Sequence, residues 1–94
     1  MVTIIGSGMG EYNFDNISID LSVFDKVYCD QNFNNNLPTL FKGSFAEVKE
    51  EILSNLHQNI AYIVSGSPMF FSGAILIINK LKTKNIPFEI IDNG

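Results

Sequence analysis

Gly6-Ser7-Gly8-Met9-Gly10 and Ser65-Gly66-Ser67-Pro68 are the segments whose residue types and spacing could hold a ligand. Each follows a strand-like run, Val2 to Ile5 in the first case and Asn59 to Val64 in the second. At the carboxyl ends of parallel strands, glycine lets backbone approach a ligand, and a following helix offers free N–H groups. In the second segment Gly66 permits close approach. Ser67 can be the N-cap and Pro68 the first helical residue, where its missing N–H costs nothing. The same residues also suit a well-capped helix that binds nothing, and Met69, Phe70 and Phe71 are ordinary core types. The first segment partly matches the dinucleotide fingerprint G-x-G-x-x-G. Gly6 and Gly8 fit, and Asp30 lies at a suitable distance for a ribose-binding acid, but Glu11 stands in place of the third glycine and the helix signal starts late.

Other reactive residues are few. Cys29 is the single cysteine, so it cannot form an internal disulfide, and its place in Val27-Tyr28-Cys29 reads as a buried thiol in a reducing compartment. His57 falls near a helix end with no second histidine or cysteine beside it, which predicts no metal site. The formal charge is −4 and all six basic residues are lysines, so neither a basic stripe nor an arginine fork is present for nucleic acid. No leader precedes Val2, and Met69 to Ile78 is too short to span a bilayer, so the chain reads as cytoplasmic.

The elements that must position the two segments alternate along 94 residues, enough for one small domain. A hydrophobic fraction of 46% supports a packed core rather than disorder. Val2 to Ile5 predicts a central strand. Ile17, Leu21 and Phe24 suggest a short helix capped by Asn16 or Ser18, Lys26 to Cys29 a second strand, and Thr39 to Phe41 a third. Ser44-Phe45-Ala46-Glu47 is a capping box, and Phe45, Val48, Ile52 and Leu56 form the apolar stripe of the helix behind it. A strand over Asn59 to Val64, a helix from Ser67 to about Lys84 and a strand over Ile86 to Ile91 complete an α/β pattern. It predicts a single three-layer domain with a mainly parallel sheet of about five strands and helices on both faces.

Across nearly its whole length the chain resembles the N-terminal domain of the tetrapyrrole methylases. That family's first loop reads G-x-G-P-G followed by an acid, against Gly6-Ser7-Gly8-Met9-Gly10-Glu11 here. Its later motif reads S-G-D-P-x-F-Y-S/G, against Ser65-Gly66-Ser67-Pro68-Met69-Phe70-Phe71-Ser72, and its final strand runs into P-G, against Asn93-Gly94. Met9 replaces proline, Ser67 aspartate and Phe71 tyrosine. Serine caps a helix as well as aspartate does, so the Ser67 change removes only a negative charge beside a cationic cofactor. The short spacing between the motifs looks most like the cobalt-precorrin-7 (carbon-5) methyltransferase branch of cobalamin biosynthesis.

The resemblance implies methyl transfer from S-adenosylmethionine to a ring carbon of a corrin precursor. Gly66, Ser67, Pro68 and Phe71 would then bind the cofactor, and Gly8, Met9 and Gly10 would line the tetrapyrrole trough. No catalytic nucleophile is expected, because such a step rests on holding donor and acceptor about 3 Å apart. The family's cofactor lies between this domain and a second one beyond the P-G turn. The 94 residues are therefore expected to be an N-terminal half that folds and binds S-adenosylmethionine weakly; a homodimer is left open. The alternative from the residues alone is a non-catalytic α/β module for nucleotide binding or association, which the Ser67 and Phe71 departures favour.

Overall fold

The computed structural model describes residues 1–7, 20–30, 40–64 and 72–92. They form an α/β fold with a five-stranded, all-parallel sheet. The strands are β1 (Val2–Gly6), β2 (Lys26–Asp30), β3 (Leu40–Gly43), β4 (Ile60–Val64) and β5 (Phe88–Asp92), and the helices are α1 (Phe45–Ser54) and α2 (Ser72–Thr83). Spatial order across the sheet is β3-β2-β4-β1-β5.

Burial explains that order. Every residue of β1 and β4 is buried, as continuous apolar runs covered on both faces require, and these two strands lie inside the sheet. The edge strands are half-exposed: β3 carries the exposed Lys42 and β5 the exposed Glu89. β3 thus begins and ends later than Thr39 to Phe41, because an edge position tolerates a lysine whose head reaches water. β5 likewise starts at Phe88, after Pro87, which has no N–H to give to a ladder.

The pleat sorts the core into two layers. Val2, Ile4, Tyr28, Ile60, Tyr62 and Val64 face α1 and α2, whose Val48, Ile52, Ala74, Ile77, Ile78 and Leu81 complete that layer. Each such aliphatic side chain contributes about 1.5–3 kcal/mol by leaving water. Ile5, Val27, Cys29, Ala61 and Ile63 face the other way, against Leu21 and the partly buried Phe24. Cys29 is fully buried and in no disulfide. Among the described residues both α-helices lie on one face. On the other the described residues carry the 3-10 turn Leu21–Val23, at the end of the stretch where the first helix is expected. Its N-cap is Asp20, with Oδ1 accepting the Ser22 N–H at 3.0 Å and the Ser22 hydroxyl at 2.6 Å. Residues 8–19 lie outside the description.

Local chemistry sets the helix ends. The capping box at α1 forms as expected, and the helix stops at Asn55, so Leu56 packs on the core from the turn behind it. α2 closes with the Ile86 N–H donating to the Leu81 carbonyl at 2.9 Å and the Asn85 N–H to Lys82 at 3.1 Å. This pairing needs a left-handed residue, and Asn85 supplies it with φ 56°. At the amino ends of the strands, Asn59 ties β2 to β4: its N–H donates to Asp25 Oδ2 at 2.9 Å and its Nδ2 to the Val23 carbonyl at 3.1 Å. His57 is exposed in the turn behind α1.

Candidate functional site

β1 and β4 are neighbours in register, from Val2 opposite Ile60 to Gly6 opposite Val64. The ladder runs one residue further, with the Ser7 N–H donating to the Val64 carbonyl at 2.9 Å. The two motif-bearing segments therefore depart from adjacent strand ends. β1 leads to β2, whose preceding turn packs on the second face, whereas β4 leads through α2 on the first. Adjacent strands with connections diverging to opposite faces make the topological switch point at which open α/β sheets bind ligands. Of the residues singled out from the sequence, Gly8, Met9, Gly10, Gly66, Ser67, Pro68 and Phe71 lie outside the described residues; the strand ends that deliver them are inside.

Sequence reading passed over Ser7, which is 1% exposed and whose hydroxyl has no hydrogen-bond partner. It lies on the Ile5 side of the pleat, at the sheet's carboxyl rim. A serine between two glycines looks like turn filler, so no pattern in the sequence marks it.

Four of the six lysines gather at one end of the sheet, while Lys42 stands one residue before the carboxyl end of β3. α2 runs back from the carboxyl rim to the amino rim, so Lys80 and Lys82 in its last turn, and Lys84 beyond, gather at the amino rim, where Lys26 opens β2. At the carboxyl rim, Asp30 and Asp92 are the last residues of β2 and β5. The start of α1 is also at this rim, and the capping box engages two of its first N–H groups, those of Ser44 and Glu47. Glu47 Oε1 accepts the Ser44 N–H at 3.2 Å and the Ser44 hydroxyl at 2.9 Å. Those bonds, the backbone one first, hold the Glu47 carboxyl below its ordinary range. The Glu47 carboxylate held over this helix start disfavours a phosphate there.

The strand order also bears on dinucleotide binding. In the dinucleotide fold the ribose-binding acid ends the strand beside β1. Here β4 intervenes, which puts the β2 end, and Asp30 with it, two strand spacings or about 10 Å from β1.

An open depression of about 240 Å³ lies on the flank of α1 between Phe41, Glu47, Glu50, Glu51 and Ser54. Beneath this flank Tyr28 is fully buried and packs on Phe41 with ring centroids 5.6 Å apart. Burial first, then the charge of Glu51, raises the Tyr28 phenol above its ordinary pKa, with Asn55 acting in the opposite direction. Among the described residues no group of histidine, cysteine and carboxylate side chains could hold a metal ion, and no helix is long and apolar enough to cross a membrane. Comparison of the chain with family models, curated proteins and solved structures gives no match.

Proposed function

We propose that this chain is the N-terminal half of an S-adenosylmethionine-dependent methyltransferase acting on a corrin precursor in cobalamin biosynthesis, with a second domain completing the cleft. The observation that carries the reading is the adjacency of β1 and β4: Gly6 faces Val64, so the G-x-G-x-G and S-G-x-P segments leave the sheet side by side at a switch point. The parallel five-stranded sheet agrees with the fold the family resemblance implies.

The described residues suit the cofactor in two respects. A rim from which Lys26, Lys80, Lys82 and Lys84 are remote accommodates a sulfonium better than a diphosphate. Ser7 adds a desolvated hydroxyl there. When bound, S-adenosylmethionine supplies an electrophilic methyl group. This chain's part is to bind and orient it through backbone at Gly66, Ser67 and Pro68 and the ring of Phe71, while Gly8, Met9 and Gly10 wall the substrate. Positioning of this kind is worth several kcal/mol without any side-chain nucleophile.

Calorimetry tests the half-site claim: S-adenosylmethionine should bind these 94 residues more weakly than micromolar, and micromolar binding would overturn the need for a second domain. The Ser67 and Phe71 departures favour a second reading, a methylase domain that has lost catalysis and serves association. Ser67→Asp in the longest available chain distinguishes the two. A large gain in methyl transfer points to lost catalysis, whereas robust transfer by the unmodified chain rules it out.

A further inference from the structure

We propose that the Ser7 hydroxyl is a ligand contact, donating or accepting a hydrogen bond to the methyl donor; the assignment rests on the methylase reading above. The position is fixed by backbone. The Ser7 N–H is bound to the Val64 carbonyl, the last before the segment assigned to the cofactor, so Ser7 stands at the root of that segment. Its own backbone donor is therefore spent within the sheet, which leaves the hydroxyl as the donor Ser7 can offer a ligand.

Energetics supply the second line. A buried hydroxyl without a partner destabilises a fold, and alanine or glycine at this position would remove that cost without disturbing the ladder. Thr3, two residues earlier on the same strand and also buried, is not among the side chains left without a partner; the other two so left among the described residues, Tyr28 and Gln58, lie away from the carboxyl rim, in the middle of β2 and before β4. Stability set aside at a site is the usual mark of a group whose partner arrives with the ligand.

The test is Ser7→Ala in the 94-residue chain, with Ser7→Cys as a near-isosteric second variant, read in two ways. Thermal unfolding without ligand should leave Tm unchanged or raise it by a few degrees. A ¹⁵N NMR titration with S-adenosylhomocysteine, which follows weak binding, should show affinity lowered about fivefold to tenfold by Ser7→Ala, with Ser7→Cys in between. A Tm lowered by both variants would show that the hydroxyl is held within the fold, and the proposal falls whatever the titration gives. Unchanged affinity in Ser7→Ala overturns it while leaving the methylase reading intact. Wild-type protein that shows no binding up to the ligand's solubility overturns both, so the two failures are told apart by the wild-type titration.

Discussion

Replacing Ser44 with alanine tests how the carboxyl rim is built, because three hydrogen bonds meet in the capping box of α1. Ser44 Oγ accepts the Glu47 N–H at 3.3 Å, and Glu47 Oε1 accepts the Ser44 N–H at 3.2 Å and the Ser44 hydroxyl at 2.9 Å. Ser44→Ala removes the first and third and leaves the second. The loss of an N-cap costs about 1 kcal/mol, which for a domain of this size lowers Tm by roughly 4–8 °C. Circular dichroism melts at about pH 7 measure it directly. The pH dependence has a defined sign. The Glu47 pKa is lowered in the folded state, so its contribution is present above the unfolded value and is lost as pH falls through the folded one. The gap between wild type and Ser44→Ala should therefore narrow in acid. Because both residues act in one box, the Ser44→Ala/Glu47→Ala pair should cost less than the sum of the single changes. An unchanged Tm for Ser44→Ala, or strictly additive losses, would refute a cooperative cap.

Two further outcomes follow from local geometry. Asn85→Gly should raise stability by up to about 1 kcal/mol, because φ 56° is free of strain only for glycine, while Asn85→Val should lower it; urea denaturation midpoints report both. Tyr28 should ionise above the ordinary tyrosine range in a spectrophotometric titration, since burial and Glu51 raise its pKa. Its raised folded value means that its contribution is complete below the ordinary value and declines as pH rises past about 10, which should appear as alkaline unfolding that Tyr28→Phe delays.

Much of the fold was legible because burial and residue type agree. Val2 to Ile5 reads as a strand buried on both faces and Asn59 to Val64 as a strand, both lie inside the sheet, and Ser44 with Glu47 marks the start of α1. The strand order was not legible: nothing in the apolar runs says that β4 inserts between β1 and β2, yet that insertion joins the two motif segments and removes Asp30 from β1. The first helix expected from Ile17, Leu21 and Phe24 falls partly outside the described residues, and only its end is seen. There Asp20, whose carboxylate bonds Ser22, starts a tight 3-10 turn at Leu21. Ser7 was missed for a different reason: burial of one hydroxyl is a property of the packed rim and leaves no periodic trace in the sequence.

The central claim is that the paired ends of β1 and β4 seat S-adenosylmethionine, and a ¹⁵N NMR titration of the chain with that compound, with NADH as the control, tests it most directly. The account predicts saturable shifts concentrated at Ser7, Val64, Gly66 and Ser67, and no matching response to NADH. Shifts confined to the α1 flank, no response to S-adenosylmethionine, or tight NADH binding that Asp30→Ala abolishes would contradict it.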